Sequence, residues 1–299
     1  MKTDTQRDYE SRILKVLVHV QAHLDHALEL EELATIANFS PFHFHRVFRG
    51  MVGEPVMEHV RRLRLERAAY HLKCSDRPVT QIAFDAGFET HEAFTRAFKS
   101  MFAVPPSAFR EQHRPSPVPS VPSGVHYAPD GRLEGFQPAT HEGAKMNVRI
   151  EELKPMRVVF VRHVGPYNQV GATWGRLCQW AGMHGLFGPA SQCLGVCYDD
   201  PEITPPDKIR YDACLTVDRP VQAEGDVGVR EIAGGRFAVT THHGPYEKLA
   251  ETYAALMGQW LPANAHEPSP GPSMEFYRND PNTTPPADLI TDIYVPLRK

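Results

Sequence analysis

Two stretches of the chain, LATIANFSPFHFHRVFR at 33–49 and IAFDAGFETHEAFTRAFK at 82–99, are variations on one pattern. Leu33-Ala34…Ala37-Asn38-Phe39 matches Ile82-Ala83…Ala86-Gly87-Phe88 at an offset of 49, and Phe44-His45-Arg46-Val47-Phe48-Arg49 matches Phe94-Thr95-Arg96-Ala97-Phe98-Lys99 at an offset of 50. The intervening turn has gained one residue. Each copy reads as a short helix, a tight turn and a second helix, the helix-turn-helix arrangement. Small Ala34, Ala37, Ala83 and Ala86 stand where the helices cross, and Gly87 and Asn38 suit a turn at positive φ. Phe44, Val47, Phe48 and Met51, echoed by Phe94, Ala97, Phe98 and Met101, recur at helical spacing and predict the buried faces.

The opposite faces carry Phe42, His43, His45, Arg46 and Arg49 in the first copy, and His91, Glu92, Thr95, Arg96 and Lys99 in the second. Such donors and flat side chains suit base edges and phosphates. One copy alone reads equally well as an amphipathic helix with a solvated face; two copies on one connecting helix favour nucleic acid. That connector, Pro55 to Leu72, starts on a proline, buries Val56, Val60, Leu63, Ala69 and Leu72, and spans roughly 27 Å at ~1.5 Å per residue. Successive major-groove faces of B-DNA lie ~34 Å apart. Arg61, Arg62, Arg64 and Arg67 on it face phosphate or solvent.

Residues 9–114 resemble the DNA-binding domain of AraC/XylS-type transcription regulators, through LEELATIANFSPFHFHRVFRGMVGEP and VTQIAFDAGFETHEAFTRAFKSMFAVPPSAFR. The resemblance implies seven helices, with both recognition helices entering adjacent major-groove segments of double-stranded DNA, and it assigns base and phosphate contacts to the ten residues just named. Two departures stand out. Ala103 occupies a position where the family usually has glycine, and Glu92 puts an acid on the second recognition helix, where it accepts from cytosine N4 or weakens that half-site.

Outward from this core the composition changes. Residues 41–114 hold 12 Lys and Arg against 8 Asp and Glu; residues 115–299 hold 16 against 21, so a net charge of −4 hides a basic module joined to an acidic one. Between them, Pro115, Pro117, Pro119, Pro122, Pro129 and Pro138 break any apolar periodicity, and 115–145 reads as a semi-extended linker. The expected domains are 1–114, all-α with a double helix-turn-helix, and 146–299. The chain has 299 residues with 41% apolar content, enough for two cores. No apolar run approaches the ~18–20 residues of a membrane span, and MKTDTQRDYE lacks a secretory core, so a soluble, cytoplasmic protein with no membrane partner is expected. The five cysteines read as reduced thiols.

Residues 146–299 repeat as well. His163-Val164-Gly165-Pro166-Tyr167 recurs as His242-His243-Gly244-Pro245-Tyr246, and DDPEITPP at 199–206 recurs as NDPNTTPP at 279–286. Each half predicts a strand (157–163, 236–242), a Gly-Pro-Tyr turn, a helix (about 168–182, 247–261) and two strands. The expected C-terminal fold is α+β, two βαββ repeats on a pseudo-twofold with helices on one face of a joined antiparallel sheet. Trp174 and Tyr253 take equivalent helical positions. Glu275 breaks the symmetry: its counterpart is Gly195, and alternation puts Glu275 and Tyr277 on one strand face. A glycine opposite a glutamate leaves room between them. A carboxylate among aromatics is solvated, paired or waiting for a cation.

This half resembles the GyrI-like effector-binding domain, through HVGPY, HHGPY, YDDPEITPPDKIRYD and EFYRNDPNTTPPADLITDIYVPL. The resemblance implies that Glu275 faces bound ligand from the cleft floor, with Tyr277, Tyr167 and Tyr198 as candidate walls; alternation points Tyr198 to the other face. His163 and His242 read as hydrogen-bonded framework. His19, His23 and His26 share a helix face, but no H-E-x-x-H or Cys/His finger accompanies them, and no metal or other cofactor is expected. The combination implies a regulator, more an activator than a repressor, with double-stranded DNA, a small-molecule effector and RNA polymerase as partners and no catalytic residues. A hydrolase built on Glu275 and a protein-binding C-terminal module are the alternatives.

Overall fold

The computed structural model describes residues 3–112, 120–133, 135–139 and 146–298. The chain divides into two compact units, Met1–Glu142 and Gly143–Lys299.

The described part of the first unit holds seven α-helices: α1 (Asp4–Ala22), α2 (Leu30–Ile36), α3 (Pro41–Val52), α4 (Val56–Cys74), α5 (Val79–Asp85), α6 (His91–Phe102) and α7 (Pro106–Glu111). The two repeats become α2–α3 and α5–α6. Both second helices begin on a capping hydroxyl, Ser40 Oγ accepting from His43 N and Thr90 Oγ1 from Ala93 N. Asn38 (φ 55°) and Gly87 (φ 77°) make the turns in the left-handed region. At the ends of α3 and α6, Gly53 (φ 86°) and Ala103 (φ 64°) take the same left-handed conformation, so the missing glycine leaves its strain on an alanine. Each repeat seals its own core; the second gathers Ile82, Ala83, Phe94, Phe98 and Phe109 against α4.

Of the segment expected as a semi-extended linker, the described residues 120–133 and 135–139 are irregular but docked on the first unit. Ser123, Val125 and Ala139 are buried. Gln21 Nε2 donates to the carbonyls of His126 (3.2 Å) and Arg132 (3.1 Å), and Ala139 N donates to Met51 O at 2.6 Å. The anchor is electrostatic. On α4, buried Arg62 donates to Glu54 (2.7 Å), Glu66 (2.6 Å) and Val125 O (2.8 Å). Glu66 also takes His126 Nδ1 (3.0 Å) and Tyr127 N (2.9 Å). Arg62 is thus neither a phosphate ligand nor a solvated residue. Proline denies this strap regular pairing, so side chains of α1 and α4 satisfy its backbone instead. Arg64 and Arg67 likewise turn inward, onto Leu24 O (3.1 Å) and Asp85 O (3.0 Å), while Arg61 stays exposed.

The second unit is an eight-stranded antiparallel sheet in the order β1-β6-β8-β7-β3-β4-β2-β5, with β1 Val148–Leu153, β2 Met156–Val164, β3 Cys193–Cys197, β4 Arg210–Thr216, β5 Val227–Ile232, β6 Gly235–His243, β7 Ser273–Tyr277 and β8 Ile290–Pro296. Helix α8 (Gly171–Met183) packs on β2 and β4. Helix α9 (Leu249–Ala255) passes into a π turn over Leu256–Trp260 ahead of Pro262, whose ring cannot sit in a regular helix interior. Strands β1 and β5 add to the expected pattern, and each crosses to the other half: β1 pairs with β6, β5 with β2.

That exchange bends the sheet. Two residues join β1 to β2, and two join β5 to β6, yet each pair lies six places apart in strand order. A flat sheet would part them by about 29 Å at ~4.8 Å per strand, whereas three Cα–Cα steps reach ~11 Å. The sheet therefore curls until its margins approach, and a side chain at Gly234 would strike the Leu153 carbonyl. The helix-free face becomes an apolar interior of Val158, Leu194, Val196, Phe237, Met274 and Phe276.

Candidate functional site

The ten expected DNA-facing residues fall on two helices. Phe42, His43, His45, Arg46 and Arg49 lie on α3, where His43, His45 and Arg46 are buried and not on the open face expected, and the Arg46 guanidinium stacks over the Phe42 ring at 4.2 Å. His91, Glu92, Thr95, Arg96 and Lys99 lie on α6, with Glu92, Arg96 and Lys99 exposed. The spar between them, α4, has 19 residues, about 28 Å at ~1.5 Å per residue. Of the histidine trio, His19 and His23 stack at 4.1 Å at the end of α1, and His23 Nδ1 meets the His19 carbonyl at 2.8 Å.

In the second unit the register places Glu275 of β7 directly opposite Gly195 of β3, at the centre of the sheet. The room left by that glycine is taken by Tyr211, whose ring a Cβ at 195 would strike. Glu275 is 8% exposed. Its Oε1 accepts from Tyr253 Oη at 3.1 Å, its Oε2 from Tyr277 Oη at 3.0 Å. Tyr277 Oη in turn lies 2.9 Å from Tyr211 Oη, which accepts from Trp174 Nε1 at 3.0 Å. A single directed chain results, from indole through two phenols to carboxylate. Trp174 and Tyr246 stand edge-on to the Tyr277 ring, each at 5.7 Å, and Tyr167 stands edge-on to Tyr211 at 5.6 Å.

The electrostatics follow from burial. Tyr211 and Tyr277 are pushed well above the usual phenol range, first because burial disfavours the phenolate. Tyr246 rises to about 12 from burial, then from the charge on Glu275. The phenols stay neutral donors. Glu275 holds two neutral hydrogen bonds and forms no ion pair among the described residues.

Of the four residues expected around the ligand, Glu275 and Tyr277 meet directly, and Tyr167 joins through Tyr211. Tyr198 does not: its hydroxyl donates to Asp212 (2.9 Å) on the helix-free face, where alternation sends it. His163 and His242 are framework, each with Nε2 on the carbonyl of the following Pro166 or Pro245, at 3.1 and 3.2 Å. Sequence reasoning missed Tyr211, Tyr246 and the donor role of Tyr253. Trp174 and Tyr253 had been aligned as equivalent positions; that they converge on one carboxylate depends on the Glu275–Gly195 asymmetry.

The profile of the GyrI-like small molecule binding domain matches residues 146–298, and that of a helix-turn-helix domain matches 33–112. The chain belongs to the GyrI-like family. It carries an AraC-type helix-turn-helix domain ahead of the GyrI-like domain. It is 39% identical over 102 residues to the "Uncharacterized HTH-type transcriptional regulator YbfP" of Bacillus subtilis, covering 34% of this chain and 35% of that one. It is 36% identical over 109 residues to the "Probable transcriptional regulator YgiV" of Escherichia coli K12, covering 36% of this chain and 68% of that one. The chain spans about a third of the length of the first curated relatives it matches. Among solved structures, the EcmrR C-terminal domain superposes with a TM-score of 0.43 at 19% identity, covering 52% of this chain and 99% of that one. No helix among the described residues is long and apolar enough to cross a membrane.

Proposed function

We propose that this GyrI-like protein is a cytoplasmic, sequence-specific DNA-binding transcription regulator, an activator that engages RNA polymerase, whose C-terminal cleft binds a small lipophilic cation. The division of labour follows the expected domains: residues 1–114 read DNA and residues 146–299 sense the ligand. The observation that carries the reading is the duplicated helix-turn-helix, with α3 and α6 at the two ends of one spar. No reaction is assigned to the cleft. We also take the C-terminal unit to be two βαββ repeats on a pseudo-twofold between β3 and β7, each led by an exchanged strand; the strand order, which maps onto itself when the halves are swapped, supports this.

The ligand class rests on Glu275. A nearly buried carboxylate that meets only neutral hydroxyls pays a desolvation cost, and a cation entering between the aromatic rings offsets it through charge and cation–π contact. DNA binding is tested with an operator selected from genomic fragments. Arg96→Ala should weaken specific binding roughly tenfold to a hundredfold, the effect of losing one base or phosphate contact. Unchanged affinity together with an unchanged salt slope overturns the role of α6. Titration calorimetry with tetraphenylphosphonium should give a saturable heat that Glu275→Gln abolishes; a heat indifferent to that change removes the cationic reading.

A further inference from the structure

The curled sheet of the C-terminal unit has a second concavity, on the face turned away from Glu275. Alternation along β3 and β7 sends Val196, Tyr198 and Met274 to this side and Gly195, Cys197 and Glu275 to the other. Here a cavity of about 270 Å³ is lined by Val196, Met274, Ile232, Phe237, Tyr198 and Arg230 among others. That is nearly twice the ~150 Å³ at which an apolar cavity admits benzene.

Its one cationic wall is unusual. The Arg230 guanidinium stacks on Phe160 at 4.8 Å, donates to Tyr198 Oη and meets Asp212 Oδ2 at 2.9 Å. Asp212, fully buried, also takes both forks of Arg162, at 2.6 and 2.9 Å. One carboxylate thus answers two arginines. Nearby Arg210 is matched separately by Asp199 at 2.8 Å. Glu231, the acid next to Arg230, also borders the cavity, but alternation along β5 turns its exposed carboxylate to the opposite face. The Arg230 Nε–H is buried and has no partner among the described residues. The Arg230 side chain keeps 27% of its surface exposed, so its accessible part, not the buried Nε, is what a ligand oxygen meets.

We propose that this cavity is a second ligand site, taking a compact lipophilic carboxylate whose apolar body lies against Val196 and Met274 and whose oxygen reaches Arg230. Its chemistry is the inverse of the Glu275 cleft, and the two faces of one sheet serve ligands of opposite charge.

The test uses the full chain and one alkyl body with three head groups: octanoate, octanol and octylammonium, by titration calorimetry. Octanoate should bind saturably and at least tenfold more tightly than octylammonium. Arg230→Gln should erase that preference while leaving octanol binding. Ala233→Phe, at the exposed rim, should weaken all three without disturbing the core, and near-ultraviolet dichroism confirms that both variants keep their packing. Glu275→Gln should leave octanoate unaffected, which separates this site from the cation cleft. No saturable octanoate heat, a preference that survives Arg230→Gln, or binding indifferent to Ala233→Phe overturns the proposal.

Discussion

Acid should destabilise the N-terminal unit through Glu54 and its partner His59. Burial alone would raise the Glu54 pKa, but hydrogen bonds from His59 (2.8 Å) and Arg62 (2.7 Å) hold it at about 2, against an ordinary 4.5. The folded pKa is depressed, so the unfolded chain binds the extra proton first as pH falls. Stability from Glu54 is therefore fully present above pH 4.5 and lost as pH falls toward 2. A gap of roughly 2.5 pH units at ~1.36 kcal/mol each bounds the loss at about 3 kcal/mol. His59 acts in the same direction: burial lowers its pKa below 6.5, so the unfolded chain gains a proton that the folded site refuses, and the decline begins below pH 6.5. Urea unfolding across pH 7 to 2 measures this with two probes. Trp174, Trp180 and Trp260 all lie in the second unit, so indole fluorescence follows that unit, while helical dichroism is dominated by the seven helices of the first. Glu54→Gln should be less stable than wild type at pH 7 by up to about 3 kcal/mol, and the difference should close between pH 4.5 and 2. A difference that stays constant over that range, or an acid loss carried by the indole signal instead, refutes the reasoning.

Other outcomes follow from single positions. Ala103→Gly relieves a left-handed alanine worth ~1–2 kcal/mol but gives back ~0.4–1 kcal/mol through added unfolded-state entropy, so the smaller net gain should raise the helical melting midpoint by about 2–4 °C; a lower midpoint would contradict it. Glu66→Ala leaves Arg62 and the strap amide of Tyr127 without their acceptor, costing ~3–5 kcal/mol for a broken buried pair. Limited proteolysis of that variant should cut first within 120–139, and a cleavage map identical to wild type would show that the strap is held by something else.

What the sequence made legible was periodicity. The repeat at 33–49 and 82–99 determined α2, α3, α5 and α6, because apolar spacing and two turn residues suffice for a local motif. The offset near 80 placed the GPY turns, the central strands and Glu275 for the same reason. Three features escaped because they depend on distant partners. The strap reads as a linker since proline gives no pattern; its docking is supplied by Gln21, Arg62 and Glu66, more than fifty residues away in sequence. Strands β1 and β5 are short and mixed in polarity, and only their exchange between halves gives them ladders. Tyr211 carries no local mark of a site residue. Its ring enters the cleft because Gly195, on the strand next to Glu275, has no side chain to keep it out.

The strap also alters what coupling between sensor and reader must explain. A free tether of 31 residues would have a root-mean-square span of about 30 Å at 5–6 Å × √n, and little strain could pass along it. Anchored through Ala139, only the eight residues 140–147 separate the last described strap contact from β1, a reach of at most ~30 Å when fully extended. That contact is the bond from Ala139 N to Met51 O, in the last turn of α3. Further back, the strap is pinned to Arg62 and Glu66 on the spar that sets the spacing of α3 and α6. If the proposed regulator reading holds, a bias that a ligand imposes through the backbone would arrive first at α3, and it could shift DNA affinity only by as much as the ligand distinguishes the strap-docked state from its alternative.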